Sequence, residues 1–387
     1  MSIELHPERL GTTDETGKRV FLHPEEVKGP FRTKRNIVYW FLIAIFFGVP
    51  WIRIPDASQS GIWRPFLFFD IPKREFWVLG QSFLGHDAPL LFFALIIFAL
   101  TIGVVTVLWG RLWCGWACPQ TVLIDGLYRK LEELIEGRAR SRQELDKAPL
   151  SASKIFKRTL KWTLFFLLSA LLSYNFLSFF ISTPELNLSS IWWWSITALF
   201  LFNFGYFREQ FCIIACPYGR MQSVLMDPRS LVIKYNRKRG EPRRNPGVVP
   251  REEEGDCIDC AKCIKVCPTG IDIRRGTQLE CIACTACIDA CDEIMEKVKR
   301  PKGLISYGND IEDSTPEVTS FRFLRPLIYI SLILVLSGAL VTTVINRKDL
   351  SVVYNRGKNA PYTTHHLPNG TIEVTNPFRL EFSYRPP

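Results

Sequence analysis

The chain has 387 residues, 47% of them hydrophobic, and its 48 basic and 38 acidic side chains give a net charge of +10. At ~150 residues per domain this length fits two or three soluble domains. However, the apolar residues gather into five stretches of roughly 16–22, each near the ~20 residues that a bilayer crossing needs. Collagen-like, coiled-coil and wholly disordered classes are excluded by composition, and in such a chain a basic excess marks cytoplasmic loops rather than nucleic-acid binding.

A polar lead, 1–35, precedes the first predicted span, Ile37–Ile52, which Lys34 and Arg35 open and Pro50 and Arg53 close. The lead is too long for a signal-peptide n-region and no small-residue cleavage site follows, so the span is expected to be retained. The second span is Ala88–Trp109. Next comes Trp113-Cys114-Gly115-Trp116-Ala117-Cys118-Pro119, inside a connection (110–158) rich in bases such as Arg111, Arg129, Lys130, Arg138, Arg140 and Arg142. The third span is about Trp162–Ile181, and the fourth, Ile191–Tyr206, opens on Trp192, Trp193 and Trp194, an interfacial aromatic belt. Phe211-Cys212-Ile213-Ile214-Ala215-Cys216-Pro217 follows it. A cysteine-rich insertion then leads to the fifth span, Leu327–Ile345, opened by Pro326, a good first-turn residue. In the tail, Asn369-Gly370 between Thr363–His366 and Thr371–Val374 predicts a hairpin.

Loops 55–87 and 182–190 carry few bases or none. The positive-inside rule therefore puts the N-terminus, 110–158 and 207–322 in the cytoplasm and the tail after Ile345 on the other side, against the weak counter-signal of Arg347 and Lys348. The fold class expected is a mainly α polytopic membrane protein with five transmembrane helices, an inserted two-cluster ferredoxin domain and a short exported β tail. Its parts are an N-terminal tail (1–35), four helices with two thiol pairs (36–228), the ferredoxin insertion (229–322), a fifth helix (323–346) and the exported segment (347–387).

The insertion carries the most specific signal. Cys257, Cys260, Cys263 and Cys267-Pro268, then Cys281, Cys284, Cys287 and Cys291, repeat the C-x2-C-x2-C-x3-C spacing of bacterial two-cluster ferredoxins. In that arrangement the fourth cysteine of each run serves the other cluster. Cys257, Cys260, Cys263 and Cys291 are expected to hold one 4Fe–4S cluster, and Cys281, Cys284, Cys287 and Cys267 the other. Structural zinc needs four ligands per site but not this doubled spacing. Asp292, where a second proline would stand, is a departure.

The remaining four of the 12 cysteines form the pairs Cys114/Cys118 and Cys212/Cys216, each C-x3-C-P at the end of a span. On a helix, positions i and i+4 share a face, and proline ends or kinks the helix after it. Gln120 to Asp125 follows the first pair and Gln222 to Asp227 the second, an internal repeat able to bring four thiolates together. Soft thiolates select Cu(I) or an iron–sulfur centre, while free cysteines also serve as small buried hydrophobes. Spacing decides neither the metal nor whether these residues exchange electrons as thiols. His365-His366 and His86 are weaker copper candidates. No Walker A signature is present.

Taken together, Lys18–Gly29, Trp113–Gln120, Cys216–Gln222 and Cys267–Arg274 resemble the CcoG/FixG (RdxA) family of cytochrome c oxidase accessory proteins, over about residues 18–345. The resemblance implies a multi-pass protein of the bacterial cytoplasmic membrane with its C-terminus in the periplasm. It implies reduction of Cu(II) to Cu(I). The expected copper-handling and catalytic residues are Cys114, Cys118, Cys212 and Cys216, soft thiols at the membrane surface on the same side as the insertion. The resemblance also implies the cbb-type oxidase assembly machinery, copper chaperones and a cytosolic electron donor as partners, with a homodimer left open. Quinol-linked subunits of the NapH/NosR type share both motifs, and a non-redox scaffold is a third reading. The family usually ends in an exported immunoglobulin-like domain, so the short tail here is expected to be a truncated version of it.

Overall fold

The structure is a computed structural model that describes residues 12, 16, 18–55, 63–71, 75–83, 87–182, 186–187, 189–226, 230–244, 254–309, 324–346, 350–356, 363–366, 372–375 and 378–384. His86, Asp227, Arg347, Lys348 and Asn369-Gly370 lie outside the described residues.

Helix α1 (Pro30–Gly48) starts ahead of the predicted Ile37. The Asp289 carboxylate accepts from the backbone N–H groups of Phe31 (3.2 Å) and Arg32 (2.7 Å), satisfying donors that a helix start leaves open. Strands β1 (Arg53–Pro55) and β2 (Trp63–Pro65) pair antiparallel, and β3 (Leu67–Asp70), β4 (Glu75–Val78) and β5 (Gln81–Phe83) form a small antiparallel sheet. Helix α2 (Ala88–Trp109) coincides with the second predicted span. Short helices α3 (Leu112–Trp116) and α4 (Pro119–Leu123) run into a π-helical turn, Ile124–Tyr128, then α5 (Arg129–Glu136) and α6 (Ala139–Lys147). Helix α7 (Ala152–Leu177) begins well before the predicted Trp162. Helix α8 (Ile191–Phe200) continues as a π-helical stretch, Leu201–Phe207, and a π turn, Phe211–Ala215, precedes α9 (Pro217–Leu225).

The insertion opens with β6 (Val232–Tyr235), passes α10 (Arg237–Gly240), α11 (Lys262–Lys265) and α12 (Ala286–Lys297), and closes with β7 (Ile305–Gly308), antiparallel to β6. Helix α13 (Leu324–Ile345) covers the fifth predicted span but starts at Leu324, ahead of the Pro326 expected to open it. In the tail, β8 (Leu350–Arg356) pairs with β11 (Phe378–Tyr384), and β9 (Thr363–His366) pairs antiparallel with β10 (Ile372–Thr375), with Ile372 opposite His366, one residue out of step with a two-residue turn at Asn369-Gly370.

Three helices among the described residues are long and apolar enough to cross a membrane: Pro89–Trp109, Ala152–Leu177 and Leu324–Ile345. Two of the five predicted spans fall short for identifiable reasons. Helix α1 carries Arg32, Lys34 and Arg35 in its first turns, and the fourth is split between α8 and a π stretch.

Contacts divide the chain into two compact units, one of residues 1–48, 98–177 and 183–333, the other of 49–97, 178–182 and 334–387. The first therefore unites the insertion with the helices that the sequence reading set apart from it. Its helical core packs Tyr39, Val122, Tyr128, Phe165, Leu172 and Phe204, and its insertion core packs Ile233, Ile264, Ile288, Met295, Leu304 and Ile305. Buried ion pairs lie beside the first of these. Glu132 accepts from Arg208 (2.9 Å), Arg142 (3.2 Å) and Lys161 (3.3 Å). Asp125 accepts from Arg35 (2.5 Å), Arg32 (3.3 Å) and Arg129. Arg142, which the sequence presented as a loop charge, is thus an interior group.

Candidate cluster cradles and thiol site

The two cysteine runs fold alike. Asp259 and Ala261 in the first and Ala283 and Thr285 in the second occupy matching positions, and all four have positive φ, +54°, +52°, +52° and +63°. L-residues adopt this left-handed backbone at a cost of order 1–3 kcal/mol and keep it only where the surroundings demand it. Such alternation turns successive backbone N–H groups inward, the anion-binding nest found at many iron–sulfur sites.

Two small cavities result. One is lined by Cys257, Cys260, Cys263 and Cys291, with apolar walls that include Ile294 and Leu304. The other is lined by Cys267, Cys281, Cys284 and Cys287, with Cys263 also at its edge. The crossed grouping expected from the spacing is the grouping of the cavity walls. Cys291 reaches the first cavity from α12, and Cys267 reaches the second from just beyond α11. Asp292 accepts from the backbone N–H of Gly303 at 2.8 Å, fastening α12 to the loop before β7. The chemistry of the donors, the paired nests and the cavity walls all fit 4Fe–4S clusters. Cys260 is exposed, whereas Cys263 and Cys284 are buried.

The thiol pairs depart from the expected helix. Cys114 lies within α3, but Cys118 is extended (φ −64°, ψ 125°) and Pro119 opens α4. Likewise Cys212 lies in the π turn, Cys216 is extended (φ −72°, ψ 115°), and Pro217 opens α9. Proline starts a helix here rather than ending one, because the first helical position needs no N–H and favours proline's fixed φ. The repeat is therefore real in three dimensions.

All six pairings of Cys114, Cys118, Cys212 and Cys216 lie within electrostatic range. Burial, then the neighbouring Cys118, pushes the Cys114 thiol up to about 12, and burial raises Cys118 and Cys212 as well. A metal arriving there must displace protons. The glutamines after each pair cross over. Gln120 exchanges hydrogen bonds with Asn203 (2.7 and 3.0 Å) and donates to the Arg208 carbonyl (3.2 Å). Gln222 Oε1 accepts from Cys114 Sγ at 3.4 Å. Among the described residues no three His, Cys, Asp or Glu side chains converge tightly enough to hold a single ion. Neither the cradles nor the four thiols form a ready-made mononuclear site.

The second cradle and the first thiol pair meet through the backbone. A Cβ on Gly115 would lie 2.5 Å from the Ala283 carbonyl oxygen and 2.7 Å from that of Ile282. Arg111 donates to the carbonyls of Cys281 (2.9 Å) and Leu279. Arg35 donates to the carbonyl of Cys284, and Tyr39 donates to that of Gly115 at 2.6 Å. Sequence reasoning missed Gly115, Arg35, Arg111 and Asp289 as the docking contacts. Arg35 and Arg111 flank spans and read as charge markers, and only Gly115, inside a motif, gave any signal. Lys18–Gly29 finds a physical role here. Glu25 donates its backbone N–H to the Lys265 carbonyl (2.9 Å), and at Gly29 any Cβ would collide with Asp289.

Residues 207–310 match the 4Fe-4S dicluster domain family and residues 91–138 the 4Fe-4S binding domain family. The chain is 33% identical over 396 residues to Protein RdxB of Cereibacter sphaeroides, covering 95% of this chain and 80% of that one. It is 34% identical over 309 residues to Protein RdxA of the same organism (75% and 62%). To Nitrogen fixation protein FixG of Rhizobium meliloti it is 35% identical over 303 residues (75% and 57%). The chain thus spans less than two thirds of the RdxA and FixG lengths. No solved structure matches it. With this identity over nearly its whole length and both cysteine runs in their cradles, the chain belongs to the CcoG/FixG family of iron–sulfur electron-transfer proteins.

Proposed function

We propose that the protein delivers single electrons from a cytosolic donor to Cu(II), as substrate, at Cys114, Cys118, Cys212 and Cys216, and that the Cu(I) formed supplies assembly of a cbb-type cytochrome c oxidase. The observation that carries this reading is the backbone contact between Gly115 and the Ile282–Ala283 loop, which lies between the cradle cysteines Cys281 and Cys284. When bound, iron–sulfur clusters supply one-electron transfer. The eight cradle cysteines would hold them, between walls that include Ile294 and Leu304 in one cavity and Ile233 and Ile271 in the other. Cu(II) takes one electron from the reduced insertion, and soft thiolates favour the Cu(I) produced. The protein spans the bacterial cytoplasmic membrane five times in this reading, with the N-terminus and insertion cytoplasmic and the tail periplasmic. Exposed Trp192 and Trp194 at the start of α8 support the fourth span.

A second reading has one specific support: each thiol pair falls inside a 4Fe-4S family match, Cys114 and Cys118 within residues 91–138 and Cys212 and Cys216 within 207–310. The pairs would then be cluster ligands, and the acceptor a quinone, as in the NapH/NosR type. One experiment separates the two. Reduced, purified protein is mixed with Cu(II) and, separately, with a quinone. Reoxidation by Cu(II) alone supports copper reduction, reoxidation by quinone alone supports the quinol-linked reading, and neither supports a scaffold. Replacing Cys114 and Cys118 together by Ala, or Cys212 and Cys216 together, is expected to abolish copper reduction with both clusters retained. Loss of iron in either double variant would make the pairs cluster ligands.

A further inference from the structure

Three guanidinium groups stand at the cysteine cradles, and they differ in what neutralises them. Arg274, on the wall of the first cradle, is bound by Asp272 at 2.8 Å and by Asp259. Arg35, which reaches the Cys284 carbonyl of the second, carries Asp125 at 2.5 Å. Arg111 has no carboxylate ion pair among the described residues, and its hydrogen bonds go only to the carbonyls of Cys281 and Leu279. It is 6% exposed, and its Nε and Nη2 are buried without a partner. Glu280 lies in electrostatic range without forming an ion pair, as do the cradle cysteine Cys281 and the thiol Cys114. A guanidinium stays charged at neutral pH, and burying one without a counter-ion is strongly unfavourable. The backbone around it is fixed as well: Gly110, at φ +55°, leaves no room for a side chain against the Leu231 carbonyl.

We propose that Arg111 is a positioning residue whose counter-ion is the thiolate-bound cluster of the Cys267, Cys281, Cys284 and Cys287 cradle. Its charge sets that cluster's reduction potential above that of the Cys257, Cys260, Cys263 and Cys291 cluster. This rests on the reading of the eight cysteines as cluster ligands. Net charge and nearby hydrogen-bond donors set cluster potentials, and an added electron is more stable beside an unneutralised buried cation. The self-neutralised Arg274 gives the first cradle no comparable help. Electrons therefore settle at the cradle that touches Gly115, giving transfer a direction from exposed Cys260 toward Cys114.

The test is a redox titration of full-length protein in detergent, with the two clusters resolved by electron paramagnetic resonance after iron and sulfide have been counted. Arg111→Gln is expected to lower the second cluster's midpoint by about tenfold or more in its reduction equilibrium, 59 mV for a one-electron couple, and to leave the first unmoved. Arg111→Lys, which keeps the charge, is expected to preserve the wild-type order of the two midpoints. Unmoved midpoints in Arg111→Gln, or equal shifts of both clusters, overturn the proposal. Should that variant lose iron, loss of the second cluster alone supports Arg111 as its counter-ion, and loss of the first or of both overturns it. Wild-type protein without two clusters would instead refute the cluster reading itself.

Discussion

Gly115→Ala probes the junction between cradle and thiol pair with a single methyl group. The added Cβ would stand 2.5 Å from the Ala283 carbonyl oxygen, 2.7 Å from its carbonyl carbon and 2.7 Å from the Ile282 oxygen. All three are backbone atoms of the loop between Cys281 and Cys284, so no side-chain rotation relieves the clash. Ordinary contact begins near 3.4 Å, and the two segments must separate by nearly 1 Å. Overpacking of this kind costs about 1–3 kcal/mol, and an electron passing from cradle to thiol pair then crosses a wider gap. Gly115→Ala is therefore expected to assemble both clusters and to slow their reoxidation by Cu(II) several-fold. The assay is stopped-flow absorbance of dithionite-reduced protein mixed with Cu(II), with iron and sulfide counted beforehand. Wild-type rates with full clusters would mean that electrons leave the insertion elsewhere, and the Gly115 junction would lose its functional meaning.

Purified protein is expected to carry about eight iron and eight acid-labile sulfide, and Cys260→Ser to damage one cluster while sparing part of the other; stoichiometric zinc without sulfide would end that assignment. Reporter fusions after Trp51 and Ile345 are expected to report the exported side, and fusions near Arg142 and Gly255 the cytoplasm. A cytoplasmic signal beyond Ile345 would remove one of the five spans. Glu132→Gln leaves Arg208, Lys161 and Arg142 facing a neutral amide, and breaking a buried pair costs about 3–5 kcal/mol. Burial opposes the Glu132 charge, but Arg208 above all holds its carboxyl well below the usual carboxylate range. Its contribution is thus complete above the unfolded value of ~4.3 and lost as pH falls through the folded value. The melting-temperature gap between wild type and Glu132→Gln is expected to be wide at pH 7 and to narrow under strong acid; a gap independent of pH would contradict this.

Elements set by local chemistry were legible in the sequence. Helix α2 keeps the predicted limits, because an uninterrupted apolar run leaves the chain no alternative in a bilayer. The crossed grouping of the cavity walls was legible because the doubled spacing is that of two-cluster ferredoxins, in which the fourth cysteine of each run serves the other cluster. What could not be read was long-range. Arg129 and Arg142 look like any cytoplasmic loop bases until Asp125 and Glu132 are seen beside them. The helical breaks around Cys118 and Cys216 were misread because proline's effect depends on whether a helix is ending or beginning, and a C-x3-C-P string carries no sign of which.

The reciprocal glutamines tie the two thiol pairs together. Gln120, from the first repeat, is held by Asn203 and the Arg208 carbonyl at the end of the second repeat's span. Gln222, from the second repeat, accepts from Cys114 of the first. Each half therefore orients a part of the other, and buried amides left without these partners would be unfavourable by about 1–3 kcal/mol each. Such a structure couples the two halves, so displacement of one pair is felt by the other. The cradle touches the first of them at Gly115. In the copper-reduction reading, an acceptor shared by the four thiols would have a near side, Cys114 and Cys118, set against the insertion, and a far side, Cys212 and Cys216, tied to Cys114 through Gln222. That asymmetry is what a one-way transfer requires: a fixed point of electron arrival, and a second pair of soft ligands to retain the product.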